Sequence, residues 1–115
     1  MTDRFPFYKP NESEITREIR CYLRIRGIWH YKNWGGPMSQ KGISDITAIY
    51  KGIPIYFEVK TERGKLTESQ RTFLEEVNLN GGLGIVLRSI ENVIEACEVL
   101  KNGKDLSVLR EKFSH

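Results

Sequence analysis

Cysteine and histidine are scarce in this sequence, and their arrangement argues against a zinc-bound protein. Its 115 residues include two histidines and two cysteines, Cys21 and Cys97. The cysteines are far apart, form no Cys-x-x-Cys pair and have no histidine partner, so a zinc site is not expected. We expect each cysteine to be a buried free thiol on a helix.

Long apolar runs and targeting signals are also missing. No run approaches the ~20 residues that a membrane-spanning helix needs. Residues 1–10 lack the apolar stretch and small-residue cleavage site of a secretory signal. We therefore expect no membrane association and an intracellular, cytoplasmic location, in a bacterial cell or a phage-infected host.

The length and the absence of repeats, low-complexity tracts and linkers predict one domain of residues 1–115. We expect a core over about 11–101, an N-terminal arm over 1–10 and a C-terminal tail over 102–115. The net charge of +3 is compatible with nucleic-acid binding but does not establish it.

The chemistry is concentrated in residues 42–60, GISDITAIYKGIPIYFEVK. Asp45 begins one strand-like run, and Glu58 and Lys60 stand two positions apart in the next. Because strand side chains alternate between two faces, Glu58 and Lys60 point the same way, roughly 6–7 Å apart. A turn at 52–54, Gly-Ile-Pro, predicts a hairpin whose pairing brings Asp45 beside Glu58.

Two carboxylates and a lysine at one point suit phosphodiester hydrolysis. Hard divalent ions prefer oxygen ligands and retain several waters. Such an ion acidifies water and neutralises charge on a phosphoryl group, while a lysine can stabilise the transition state or orient the attacking water. The alternative, equally weighted on spacing alone, is that Asp45 caps a turn and that Glu58 and Lys60 form an exposed charged face.

A first helix is predicted from the N-cap Asn11, with Glu14 as its capping-box partner, to a stop at Gly27. Glu12 falls on the apolar side of this helix and therefore points toward the sheet. The alternative for Glu12 is a favourable charge at a helix N-terminus. The apolar stripe consists of Ile15, Ile19, Tyr22 and Leu23.

The rest of the chain alternates strands and helices. Strands are predicted at 28–32, 45–50, 53–61 and 84–88, and helices at 67–80 and 90–101, with a short helix in the tail. Thr67 and Gln70 form a second capping box, although Gln70 also lies on the stripe that faces the sheet. For the helix at 90–101, the predicted inward side chains are Ile90, Val93, Ile94, Cys97 and Leu100. The first three strands predict a meander, and the crossover through 67–80 predicts a parallel fourth strand, in a mixed sheet with helices on both faces.

Several cationic and aromatic side chains are candidates for DNA contacts. Arg17, Arg20 and Arg24 recur at helical spacing, although most such stripes are only solvated. Trp34 lies in a glycine-rich loop over 33–41, and packing under that loop is the preferred alternative for it. The candidate DNA-binding residues are Arg17, Trp34, Lys41, Arg63 and Lys65.

These motifs resemble those of a nuclease family. Asp45 and the segment Glu58-Val59-Lys60 resemble the D…(D/E)xK signature of the PD-(D/E)XK superfamily. Within it, the chain resembles the VRR-NUC (virus-type replication-repair nuclease) domains over about 12–100. The matching segments are the GxPD-like 42–45, the glycine-containing turn 63–66 and the S/T-x-x-Q motif 67–70. Ser44 stands where the family has proline, which weakens a turn preference but removes no ligand.

The resemblance implies an α/β fold with a restriction-endonuclease-like αβββαβ core and a DNA endonuclease dependent on Mg²⁺ (or Mn²⁺). It implies that Asp45, Glu58 and the backbone carbonyl of Val59 hold the metal and that Lys60 activates the water. It also implies branched DNA substrates, such as flaps or Holliday junctions, and a homodimer. The implied catalytic residues are Glu12, Asp45, Glu58, Lys60 and Gln70.

Two other functions remain open on the sequence. The first is a nucleic-acid-binding accessory module that keeps the nuclease fold without catalysis. The complete set of two acids and a lysine argues against it, because a decayed site is expected to have lost a member. The second is a protein-interaction domain that uses the aromatic N-terminus.

Overall fold

The structure is a computed structural model that describes residues 8–35, 41–103 and 105–115. Most of the predicted N-terminal arm, and much of the loop at 33–41, lie outside the described residues. The secondary-structure elements are α1 (Glu12–Ile25), β1 (Trp29–Lys32), β2 (Ile46–Tyr50), β3 (Ile53–Val59), α2 (Glu68–Leu79), β4 (Leu83–Leu87), α3 (Ile90–Lys101) and α4 (Leu106–Lys112). The first seven have the predicted order.

The strands of the described residues form one mixed sheet in the order β1-β2-β3-β4. The β1–β2 and β2–β3 pairs are antiparallel and the β3–β4 pair is parallel, as predicted. The predicted strands, which leave 51 and 52 between them, agree with the structure. The turn assigned to 52–54 was misplaced, because Tyr50 pairs with Ile53 and leaves Lys51 and Gly52 as the central residues. Both have positive φ, 48° and 83°, as tight hairpin turns require. Pro54 therefore belongs to β3.

Helices cover both faces of the sheet. On one face, Ile55, Phe57 and Val59 are buried in a cluster with side chains of α1 and α3. On the other face, Tyr56 meets Phe73 of α2 edge-to-face, with ring centroids 5.2 Å apart. The catalytic candidate Glu58 alternates with the first set and therefore shares the α2 face.

Helix caps explain where the helices begin. Both predicted capping boxes are present, Asn11 with Glu14 and Thr67 with Gln70. Each box satisfies backbone N–H groups that the first helical turn leaves without partners. The S/T-x-x-Q motif therefore sets the start of α2 beside the end of β3.

Some predictions of burial were wrong. Cys21 is exposed, whereas Cys97 is buried, and both are free thiols. Cys21 lies two residues from the buried Ile19, about 200° around the helix, and so faces away from the core. On α3, Ile94 is 39% exposed.

The C-terminal tail forms α4 and closes one edge of the sheet. The carbonyl oxygen of Phe113 accepts a hydrogen bond from the N–H of Val86 in the edge strand β4, at 2.9 Å. Leu109 and Phe113 are buried in the main core, so the short helix predicted in the tail packs onto it. Within the described part of the chain, none of the helices combines the length and apolarity needed to span a membrane.

Candidate active site

The hairpin of β2 and β3 brings Asp45 to Glu58. Ile46 pairs with Phe57, so Asp45 and Glu58 occupy the next opposed positions. The Asp45 Oδ2 atom accepts a hydrogen bond from the backbone N–H of Val59 at 2.7 Å. The carboxylate is therefore held against the end of β3 by the backbone of a fully buried residue.

Glu58 and Lys60 are both withdrawn from solvent, with residue exposures of 2% and 8%. Lys60 Nζ lies 3.8 Å from Glu58 Oε2, and the Lys60 N–H donates to the Leu87 carbonyl at 3.0 Å. This geometry excludes the alternative of an exposed charged strand face. Ionisable side chains are rarely buried without a partner or a role.

The protonation of Glu58 reflects this crowding. Burial raises the pKa of Glu58 to about 8 from an ordinary value of 4.5, and the nearby Asp45 carboxylate adds to the increase. Lys60 lowers the pKa of Glu58 and Glu12 raises it, both by smaller amounts. The positive charge of Lys60 alone does not offset the increase in the pKa of Glu58 that burial and the neighbouring acids cause.

The donor set fits a hard divalent ion. Glu58 Oε1 is buried and has no hydrogen-bond partner within the described residues, so an oxygen is available for a ligand. In the same part of the chain, no group of three or more His, Cys, Asp or Glu side chains is arranged to hold a metal. Two carboxylates nevertheless suit Mg²⁺, which keeps several waters and commonly takes only one or two protein carboxylates.

Glu12 and Gln70 occupy different positions around this pair. Glu12 lies in the first turn of α1 and lines a groove that also reaches Asp45. Gln70 lies in the first turn of α2, where its Oε1 accepts from the Thr67 N–H at 2.9 Å. The side-chain oxygen of Gln70 is thus engaged in the cap, and a role in the site stays a prediction.

The candidate DNA-binding residues fall into three places. Arg17 and Trp34 line the same groove as Asp45. Lys41 lies in a separate depression against the first turns of α2. Arg63 and Lys65 are exposed in the turn between β3 and α2.

Arg88, for which the sequence suggested no role, holds the turn that follows Lys60. Its Nη1 donates to the carbonyl oxygens of Thr61 and Gly64, at 2.6 Å and 2.7 Å. A Cβ on Gly64 would lie 3.4 Å from Lys60 Cδ, so this turn packs on the lysine stem. The sequence shows only that an arginine follows an apolar strand. It does not reveal the partners of Arg88, because they lie 24 and 27 residues away along the chain.

Asn33 has a similar function before Asp45. Its Nδ2 donates to the Ser44 carbonyl at 2.9 Å and to Thr47 Oγ1 at 2.7 Å. Its backbone N–H also donates to the Asp45 carbonyl at 2.8 Å. Asn33 therefore fixes the chain on both sides of the candidate ligand.

Comparison with known proteins bears on the fold. No protein-family model matches the sequence, and no curated protein matches it. A solved structure described as a VRR_NUC domain protein has a similar fold, with a TM-score of 0.72 over 84% of this chain and 93% of that one. The sequences are 17% identical, so the likeness shows the fold. It confirms the predicted resemblance and the α/β nuclease-like architecture.

Proposed function

We propose that this chain is a metal-dependent DNA endonuclease that hydrolyses phosphodiester bonds. The observation that carries the proposal is the cluster of Asp45 with the buried Glu58 and Lys60, in which a Glu58 oxygen has no partner within the described residues. A nuclease-like fold makes nucleic acid the expected class of substrate. An accessory module would have no need to keep a second acid beside a buried acid and a buried lysine.

The side chains divide the chemistry between them. Asp45, Glu58 and the Val59 carbonyl would hold Mg²⁺ or Mn²⁺. When bound, that ion supplies charge neutralisation at the phosphate and lowers the pKa of a coordinated water. Lys60 orients the attacking water and stabilises the charge that develops on the phosphate. Glu12 adds a ligand through water, and Gln70 helps to position Lys60 or the attacking water.

Exposed cations and one aromatic ring supply contacts to the substrate. Arg17 and Trp34 act from the groove that contains Asp45, and Arg63 and Lys65 act from the turn after Lys60. Lys41 contacts the DNA backbone from the depression beside α2. Cations in several exposed places suit a DNA backbone that is longer than the site itself.

The substrate is branched DNA, such as a flap or a Holliday junction, and the chain acts as an intracellular homodimer. A two-fold dimer suits symmetric cleavage of two strands. The outer strand β1 and its neighbour provide a surface for a second copy, because Trp29, Tyr31 and Ile49 are 44–59% exposed on one sheet face. Light scattering on the eluting peak of a sizing column measures this assembly.

Cleavage of a plasmid, a flap and a four-way junction with Mg²⁺ or Mn²⁺ tests the activity. We expect Asp45→Asn and Lys60→Met each to lower the rate by about 100-fold or more. Lys101→Met, at the far end of α3, is the matched control and should cut normally. Full activity of either site variant would refute the proposal, and DNA binding without cleavage by the native chain would favour the accessory module.

A further inference from the structure

A groove of about 380 Å³ runs along α1 from the candidate active site. Glu12 and Asp45 line it together with cations of α1, and side chains at and beyond the end of β1 complete it. The acidic residues that line the groove, Glu12 and Asp45, both belong to the proposed metal site. The remaining charged members are basic, namely Arg17, Arg20, Arg24 and Lys32.

The cations on α1 are spaced to follow a polyanion. Arg17, Arg20 and Arg24 recur at intervals of three and four residues, which places them on one face of the helix. Arg17 and Arg24 are about 10 Å apart along the axis at 1.5 Å per residue. A stacked DNA strand carries a phosphate about every 3.4 Å, so the row spans about three phosphate spacings.

Trp34 gives this groove a feature that phosphate binding does not need. Its residue surface is 77% exposed, although a large apolar ring is ordinarily buried. The Lys32 Nζ lies 4.1 Å from its ring centroid, so a cation already contacts the indole. The ring is thus oriented by one neighbour while most of its surface faces solvent.

An oriented and exposed ring beside a row of cations is the arrangement that proteins use for single strands. Bases of a duplex are stacked on one another, whereas an unpaired base can stack on an aromatic side chain. Such stacking tolerates any sequence, because every base has a π-face. Stacking also adds binding free energy that contacts to duplex phosphates alone would not provide.

We infer that the groove holds a single-stranded segment of DNA, with an unpaired base stacked on Trp34 and adjoining phosphates on Arg20, Arg24 and Lys32. The inference rests on the proposed function, since the groove ends at the proposed metal site. Among the branched substrates of the proposed function, it favours DNA with unpaired nucleotides beside the bond that is cut, such as a flap, over a fully paired four-way junction. Fully paired DNA would use the phosphate contacts but not the ring.

Fluorescence titration in EDTA tests the inference without requiring cleavage. The chain has two tryptophans, so Trp29→Phe leaves Trp34 as the reporter. We expect a short single strand to quench Trp34 and to bind at least about fivefold more tightly than a blunt duplex of equal length. A strand of abasic residues, which keeps the phosphates, should bind more weakly and should not quench.

Variants separate stacking from charge. Measured by the fluorescence anisotropy of a dye-labelled strand, Trp34→Leu should weaken single-strand binding about 5- to 100-fold, and Trp34→Phe should recover part of the loss. Arg24→Ala should reduce the slope of log affinity against log salt by about 0.7. Arg71→Ala, an exposed cation on α2, is the matched control and should leave affinity and slope nearly unchanged.

Equal affinity for single strand and duplex, or unchanged binding by Trp34→Leu, would overturn the inference. Quenching by the abasic strand equal to that by the natural strand would also overturn it. These outcomes are independent of the proposed activity. A chain that binds as described but never cuts fails only the cleavage test, and an active nuclease with no preference for single strands fails only this one.

Discussion

The Asp45 Oδ2 atom accepts a hydrogen bond from the N–H of Val59 at 2.7 Å. A candidate metal ligand is therefore positioned by the backbone at the end of β3, the strand that carries Glu58. The bond also satisfies an N–H group in a buried segment, where an unpaired donor would be costly. Structure and proposed chemistry thus depend on the same carboxylate.

This double role predicts different results for two substitutions of Asp45. Asp45→Ala leaves the Val59 N–H without its acceptor and should lower the free energy of unfolding by about 1–3 kcal/mol. Asp45→Asn keeps an acceptor oxygen and should recover most of that loss. Both substitutions should abolish Mn²⁺ binding. Calorimetry measures the binding, and urea unfolding measures the stability. Equal stability of the two variants would contradict the structural role.

Glu58 should make the stability of the metal-free protein depend on pH. Its pKa is about 8 in the folded protein and about 4.5 ordinarily, so between these values the folded state binds more protons than the unfolded state. The free energy of unfolding should therefore fall as pH rises from about 4.5 to 8, by at most about 1.4 kcal/mol per pH unit. Urea unfolding at several pH values measures this, and Glu58→Gln should lose the dependence in that window. A native profile that rises over this range would be inconsistent with the burial of Glu58.

Arg88 should act on the reaction through Lys60. Arg88→Met removes the donor to the Thr61 and Gly64 carbonyls and frees the turn that packs on the lysine stem. We expect kcat to fall about tenfold or more with little change in KM, because positioning rather than binding is lost. Arg88→Lys should recover part of kcat. A change in KM alone, or no change in either parameter, would show that the turn does not position Lys60.

Gly42 should be intolerant of a side chain because of its contact with α2. Its φ is +81°, and a Cβ there would lie 2.4 Å from the Ser69 carbonyl oxygen. Gly42→Ala should lower the free energy of unfolding by about 2 kcal/mol or more. Gly52→Ala is the matched control, since Gly52 has a φ of +83° but no atom within 4 Å of a Cβ. It should cost only about 1 kcal/mol, and equal losses would mean that the backbone angle alone matters.

Local chemistry was the part of the fold most readily predicted. The capping boxes at Asn11 and Thr67 involve residues three positions apart, so each can be recognised in a segment of four residues. The juxtaposition of Asp45 and Glu58 required only that two neighbouring strands form a hairpin. The turn was placed one residue late because Pro54 suggested a turn position, whereas it is the second residue of β3 and pairs with Ile49.

Features that depend on distant contacts were not predictable. The burial of Glu58 to 2% exposure was not predicted, because the spacing of Glu58 and Lys60 gives the face that they share but not how closely other elements cover it. Arg88 and the turn after Lys60 meet only because β3 and β4 are parallel neighbours. For Trp34 the sequence left open a DNA contact and packing under the loop, with packing preferred, and the residue is exposed beside Lys32. That outcome is decided by the path of the chain after β1.

The central claim is that Asp45 and Glu58 bind one divalent ion next to Lys60. The most direct measurement is anomalous diffraction from a crystal soaked in Mn²⁺ at a pH above 8, where Glu58 is ionised. We predict a peak within ligand distance of carboxylate oxygens of Asp45 and Glu58 and of the Val59 carbonyl oxygen. Absence of a peak at these oxygens, in crystals that hold Mn²⁺ elsewhere or not at all, would contradict the claim.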